Sequence, residues 1–377
     1  MSDTTLSLRR LNRATLERQG LLARFEGTPA AVIARLAGLQ AQHANQPYIA
    51  LWSRLRDVAI ADLQAALETK AVVRATVMRS TLHLVAASDY AAFDSAVAEQ
   101  RMANWAASAR RIGIDHRELH AALLAFCDQP RTVAEMEAHL DELAPGKVIA
   151  RNVPDGVRNA TFRLASAGGG LVHVPPSGFW GEHGKPRYVA ARVWLGGADE
   201  PVDPVEATAT VIRRYLGAYG PAAFADIGKW LGQVRVSPLR AAMARLSDEL
   251  RTVDGEDGRE LVDLVDGTVP PEDAFAPPRF LSRWDSVLIS YDARERILPP
   301  AYRDAVIKKN GDFLPTFVID GFVAGLWSVM TTKGVATLRL EPFETIGAAD
   351  RRALEVEAEA LVRFVAREAK DHAVTWG

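Results

Sequence analysis

Three times along this chain, short amphipathic helical runs are followed by two β-prone runs around a tight turn. That recurrence constrains the fold more than any other feature of the sequence. In the first pass, Leu11, Leu16 and Leu21-Leu22 mark an opening helix, and Val32, Ile33, Leu36 and Leu39 recur at helical spacing over residues 29–39. Thr28-Pro29 supplies a cap and a first-turn proline for that helix. Residues 61–67 give a third helix, residues 71–78 and 81–85 read as strands joined by Arg79-Ser80, and a helix over 88–106 capped by Ser88 closes the pass. The second pass has a helix at 116–126, a turn at 129–131, and a helix capped by Thr132 with Glu135 completing a capping box. A third helix over 154–166 ends at Gly168-Gly169-Gly170, and strands at 171–174 and 187–191 bracket a loop holding Phe179, Trp180, His183 and Lys185.

The third pass repeats the order with a helix at 205–219, one opened by Gly220-Pro221 and one opened by Ser237-Pro238, then strands at 250–253 and 260–264. Helices followed by a two-stranded hairpin are the layout of a winged helix. The expected fold is therefore helix-rich α+β, with winged-helix units at 1–111, 112–200 and 201–266. A proline- and acid-rich linker over 267–278 leads to a small α+β module at 279–377. In that module 315–319 and 322–328 form a hairpin around Asp320-Gly321, 336–340 alternates as a strand, and a last helix places Leu354, Ala358, Leu361, Val362 and Val365 on one face.

Charge narrows the partners. Lys+Arg 45 against Asp+Glu 47 leaves a net charge of -2, so any nucleic-acid surface is a local patch rather than a whole face. With 48% hydrophobic residues the chain fills several cores. The lone cysteine, Cys127, excludes a disulfide framework and a cysteine zinc site and fits a reducing compartment. No apolar run approaches the roughly 20 residues that span a bilayer. Arg9, Arg10 and Arg13 are not followed by the apolar segment of a secretory signal. The expectation is a cytoplasmic, nucleoid-associated monomer.

Several familiar chemical signals fail. His116 and His120 lie one turn apart, but without HExxH order or a third ligand they read as packed or solvated, and no metal or other cofactor is expected. Gly168-Gly169-Gly170 follows a helix rather than a strand, so it is a helix stop. No P-loop, G-x-S-x-G or paired cysteines occur, which leaves a small-molecule hydrolase without a nucleophile. Cys127 lies on an apolar helix pattern beside Phe126, where packing is the default.

What stands out is an amide-rich junction over residues 36–48, where a helix gives way to Gln40, Gln42, Asn45 and Gln46. Pro47 pushes Gln46 towards extended geometry, so the helix has ended by then. Residues two apart share one side of an extended chain, so both Gln40 and Gln42 can face one cavity. Spacing alone favours the plainer reading, in which they cap a helix end. Basic residues recur at helix and wing positions of the successive units: Arg79 and His83 beside Arg74 in the first; Arg158, Arg163, Lys185 and Arg187 in the second; Arg240 in the third. Lys308 and Lys309 make a basic turn in the last module. Singly, each reads as well as a solvated charge; their recurrence points to phosphate contacts on DNA.

The stretch Gly38-Leu39-Gln40-Ala41-Gln42 with Pro47 and Leu51-Trp52-Ser53-Arg54 resembles the QxQ motif region of the AlkZ/YcaQ-type DNA glycosylases. Met78-Arg79-Ser80-Thr81-Leu82-His83, Tyr219-Gly220-Pro221 with Asp226 and Trp230, Trp284-Asp285-Ser286-Val287-Leu288 and the run from Asp320 to Trp327 extend the resemblance over nearly the whole chain. It implies tandem winged helices in a C-shape around DNA, with Gln40 and Gln42 as the catalytic pair. It further implies excision of N7-alkylated guanine from double-stranded DNA, including unhooking of interstrand crosslinks. Glutamine rather than aspartate at position 42 groups the chain with the branch linked to self-resistance in antibiotic producers. The alternative is a non-catalytic winged-helix DNA-binding regulator, which explains the basic positions but not the amides.

Overall fold

The computed structural model describes residues 5–144, 158–197, 202–232 and 235–377. Local chemistry sets most helix ends where the sequence places them. Thr28 accepts from the Ala31 amide and Pro29 occupies the first turn, so Pro29–Arg35 is a helix. Asp115 accepts from the Arg117 and Glu118 amides at the start of His116–Phe126. Thr132 and Glu135 make the reciprocal capping box of Val133–Leu143. Pro204–Tyr219, Phe224–Leu231 and Val236–Arg245 follow in order, then the hairpin Leu250–Asp254 with Glu260–Leu264.

Four expectations need correction. The opening helix, Leu8–Arg18, ends before Leu21-Leu22. Pro47 does not extend Gln46; it sits in the first turn of a helix, Gln46–Arg54, where its missing N–H costs no hydrogen bond. Ser88 is not a cap: the helix Ala87–Ile112 starts before it and runs well past Ala106. A short terminal strand, Asp371–Trp376, also escapes the sequence pattern. The third helix of the second pass is seen as Ala160–Ala165, its expected start lying partly outside the described residues.

The hairpins of the first two passes do not stay separate. They join in one six-stranded sheet, ordered Leu39–Gln40, Leu82–Ala86, Val72–Thr76, Leu171–His173, Arg187–Ala190 and Arg131–Thr132. The junction is antiparallel, with Arg74 opposite His173 and Ala75 opposite Val172. A five-stranded sheet in the last module runs in the order Asp371–Trp376, Val335–Pro342, Phe322–Thr332, Thr316–Ile319, Arg279–Leu281. The helix Ala348–Val365 buries Leu354, Ala358, Leu361 and Val362 with Phe280 and Phe317 of that sheet. A larger apolar core gathers Val73, Val77, Met78 and Phe93 with Tyr215, Tyr219, Trp230 and Leu231, so the first hairpin and the third set of helices share one interior.

Buried arginines tie these parts together. Arg54 and Asp285 are both 0% exposed and pair through two hydrogen bonds of 2.5 and 3.0 Å. Arg54 also donates to the Ala50 carbonyl at 3.0 Å. Arg18 grips Asp263 at 2.6 and 2.9 Å and the Leu216 and Thr268 carbonyls. Arg13 reaches Asp320, and Asn12 donates to the Arg296 and Gly321 carbonyls. The N-terminal helix is thus a buckle between the third hairpin and the last module. Removing one partner of a buried pair leaves a charge that water cannot reach, costing about 3–5 kcal/mol. Asp285→Asn is accordingly expected to lower the stability measured by chemical denaturation by that order; an unchanged midpoint would reject the clamp.

Candidate active site

The site is built on Leu39–Gln40, a two-residue strand at one edge of the six-stranded sheet. Leu39 pairs with Leu84 and Gln40 with His83. The Ala41 amide then donates to the Leu82 carbonyl at 2.7 Å. Backbone pairing stops there, and the ladder is completed by a side chain: the Leu82 amide donates to Gln42 Oε1 at 3.1 Å. Extended geometry alternates side chains. Leu39 and Ala41 turn into the core at 2% and 1% exposure, while Gln40 and Gln42 are half-buried beside the hairpin strand Leu82–Ala86. Arg74 Nη2 pins the linking peptide by donating to the Ala41 carbonyl at 2.8 Å.

Partners on the two amides fix which way each faces. Arg79 Nη2 donates to Gln40 Oε1 at 3.2 Å. A guanidinium and a backbone N–H have no acceptor, so in each case the atom they touch is the carbonyl oxygen. Among the described residues each glutamine therefore keeps its NH2 without a hydrogen-bond partner and one lone pair on the oxygen. No carboxylate is among the hydrogen-bond partners of either glutamine in the described residues. The site offers oriented dipoles and no proton-transfer group on the amides themselves.

The sequence pattern groups Arg79 and His83 with phosphate contacts; the fold turns both inward. Arg79 and Ser80 take left-handed φ values of 53° and 56°, which folds the hairpin tip back under the end of Phe224–Leu231. Arg79 Nη1 donates to the Trp230 carbonyl at 2.8 Å, and its Nη2 lies 3.2 Å from His83 Nε2. His83 is 2% exposed. Its Nδ1 sits 2.9 Å from the Thr81 carbonyl and so carries the hydrogen, leaving Nε2 to accept from Arg79. Burial, then the Arg79 charge, pushes the imidazole down to about 3. Burial also lowers Arg79 to about 10, which leaves it charged at neutral pH.

Two loops flank the segment after Gln42. From the second pass, the Gly181 amide donates to Asn45 Oδ1 at 2.7 Å, and Tyr48 donates to the Gly178 carbonyl at 3.0 Å. From the last module come Trp284, whose ring lies 5.8 Å from that of His43, and the Arg283–Asp312 pair. His43 is exposed, and its backbone amide is held by Gln46 Oε1 at 3.1 Å. Partial burial, then Arg283, lowers its pKa. The turn carrying Lys308 and Lys309 closes on Asp312 through a 2.8 Å backbone bond, and both lysines are exposed. Lys185 is exposed on the opposing loop.

Arg158, Arg163, Arg187 and Arg240 are exposed, and none hydrogen-bonds to Gln40, Gln42, Arg79 or His83. Arg187 lies 3.9 Å from Glu135. His116 and His120 bond to the Leu164 and Ala165 carbonyls at 2.6 and 2.8 Å, as packed histidines do. Cys127 is buried beside Met136, and burial raises its thiol to about 11. Sequence reasoning named Asn45, Gln46 and Trp230 only as members of motifs, without these contacts, and missed Arg283. Trp230 and Gln46 act on the site through a backbone carbonyl and a single amide oxygen, which leave no pattern in one sequence.

Burial holds His83 neutral, and the same cause lowers His116, His120 and His173. From the ordinary value of 6.5 down to about 3, the unfolded chain protonates His83 and the folded one does not. Stability must therefore fall as pH drops through that window. His83 alone contributes roughly 1 kcal/mol of loss at about pH 5.5. Thermal melts across this range are expected to show a shallower acid slope in His83→Asn than in the wild type; an identical slope would show that His83 titrates normally.

Comparison with known proteins adds the identity of the family. The family model described as DNA glycosylase AlkZ-like matches residues 33–364, which contain every residue of the glutamine network. The interstrand DNA cross-link repair glycosylase of Streptomyces sahachiroi is 29% identical over 379 residues, covering 92% of this chain and 94% of that protein. The solved structure of the Streptomyces sahachiroi DNA glycosylase AlkZ superposes with a TM-score of 0.81 at 24% identity, over 99% of this chain and 100% of that one. With a match over most of its length, the chain belongs to the AlkZ-like DNA glycosylase family, hydrolases of N-glycosyl bonds in DNA.

Proposed function

We propose that the chain excises N7-alkylated guanine from double-stranded DNA, acts as a monomer, and unhooks interstrand crosslinks joined through that position. The observation that carries this reading is the chemistry of the two amides. Each has its carbonyl oxygen engaged by an obligate donor, and no carboxylic acid stands among their partners to protonate a leaving base. Ordinary guanine needs such an acid. An N7-alkylguanine already carries a positive charge and departs without one. Two oriented dipoles then suffice to hold water and stabilise an oxocarbenium-like sugar.

In this reading Gln42 holds the attacking water and Gln40 orients it or the deoxyribose. The Streptomyces sahachiroi relative is a cross-link repair glycosylase, which supports the larger substrate. A guanine tethered to both strands cannot be swung freely into a closed pocket. Bulky N7 adducts are accordingly expected to be accepted. Self-resistance to a DNA-alkylating natural product is the role that glutamine at position 42 suggests. In this reading the exposed Lys185, Lys308 and Lys309 contact phosphate.

The reading is tested by base release from duplex DNA carrying a single N7-methylguanine, followed after alkaline cleavage, and then from a crosslinked duplex. Gln40→Ala and Gln42→Ala are each expected to slow release by roughly tenfold or more, about 1.4 kcal/mol of barrier, with binding nearly intact. Wild-type rates in both variants would remove the glutamines from the mechanism. Binding without any release would favour a DNA-binding role alone. Replacing Lys308 and Lys309 by alanine is expected to weaken binding to any sequence and to reduce the slope of log affinity against log salt by roughly one for each phosphate left without its lysine. An unchanged slope would place DNA elsewhere.

A further inference from the structure

We propose that Arg79 is a positioning residue for Gln40, holding its carbonyl so that the NH2 group faces the reacting centre, and that the third set of helices sets this position. The inference rests on the reading that Gln40 takes part in base release. Its own ground is geometric. One guanidinium spans three acceptors from three elements: Gln40 Oε1 at 3.2 Å, His83 Nε2 at 3.2 Å and the Trp230 carbonyl at 2.8 Å. Trp230 belongs to the helix Phe224–Leu231, far along the chain from Gln40.

Each of these bonds removes one freedom. The Trp230 carbonyl fixes the guanidinium along the hairpin, and the lone pair of neutral His83 fixes its rotation. What remains is an N–H aimed at Gln40. Without it an amide could turn end for end, since oxygen and nitrogen have nearly the same shape, and would present a carbonyl where the site now presents a donor. A lysine would not replace the guanidinium, because a single ammonium lacks the planar fork that spans fixed acceptors. The backbone at Arg79 is equally constrained. Its left-handed φ of 53° is unusual for a residue with a side chain. Gly232 packs against it so closely that a Cβ there would lie 2.7 Å from the Arg79 Cα and 2.9 Å from its nitrogen. A hairpin arginine serving only to bridge two packed elements would require the bond to Trp230 but not the one to Gln40.

The experiment measures single-turnover release from the N7-methylguanine duplex by wild type, Arg79→Ala, Arg79→Lys, Gln40→Ala and the Gln40→Ala/Arg79→Ala double variant. DNA binding is followed by fluorescence anisotropy. Arg79→Ala is expected to lose roughly tenfold in rate with little change in affinity, and to cost nothing further once Gln40 is alanine, because residues acting as a unit are not additive. Added methylguanidinium is expected to restore Arg79→Ala but not the double variant. A second readout needs no activity: the side-chain 15N–1H2 signals of Gln40 in glutamine-labelled free protein, assigned by their absence in Gln40→Ala, are expected to shift in Arg79→Lys. A wild-type rate in Arg79→Ala, an equal loss with and without Gln40, or unmoved Gln40 signals would overturn the proposal. Should the wild-type enzyme release no base, the reading of the reaction fails, and the amide signals still decide whether Arg79 holds Gln40.

Discussion

The short pairing of residues 39–41 with the hairpin strand Leu82–Ala86 is the constraint on which the site depends. A strand of two residues has little stability of its own, since so few ladder bonds offset the cost of ordering the chain. It persists because its neighbours are over-determined. Leu39 and Ala41 bury against Leu36, Leu51 and Leu84, and Arg74 holds the Ala41 carbonyl from Val72–Thr76, one strand beyond the hairpin partner. A slip of one residue would send the apolar pair outward and the glutamines into the core. The same packing that keeps the register therefore keeps Gln40 opposite His83 and Gln42 within reach of the Leu82 amide.

Rigid support comes from several distant segments, each through a buried charge or a backbone group. The Arg54–Asp285 pair fixes the helix after the glutamines to the turn that carries Trp284. The Arg18–Asp263 pair fixes the N-terminal helix to the third hairpin. Such pairs add little net stability compared with well-packed apolar groups, but a broken one is costly, so they oppose alternative arrangements of the parts. Precision of this kind matters in a site whose functional groups are neutral. An amide dipole acts only along its own direction, whereas a charge acts in every direction around it.

Neutrality also narrows the chemistry. His83 sits behind Gln40 as a buried, neutral acceptor, and the exposed His43 is biased towards its neutral form by partial burial and by Arg283. Arg79 adds the one full charge that hydrogen-bonds to Gln40 or Gln42 among the described residues, and it is locked into three hydrogen bonds. A site so furnished is suited to a leaving group that brings its own positive charge. It is poorly furnished for a bond whose cleavage needs a proton delivered.

Much of this was legible in the sequence. Thr28-Pro29 and the Thr132/Glu135 box set helix starts that the fold keeps, because capping is decided within one turn of chain. The change from helical spacing to a short extended segment at Leu39–Gln40 was also local. Pro47 misled because proline before a helix and proline after one look alike in a window of a few residues. Arg79 and His83 misled for a different reason. At a hairpin tip they read as surface groups, and only the arrival of Phe224–Leu231 over that tip made them interior. The joining of two hairpins into one sheet likewise rests on pairing between Arg74 and His173, far apart in the chain. The sequence by itself determined most of the helices, the three hairpins and the two amides. The tertiary structure alone decided what those amides touch, because hydrogen bonds to distant carbonyls and the burial of a charge depend on which segments meet.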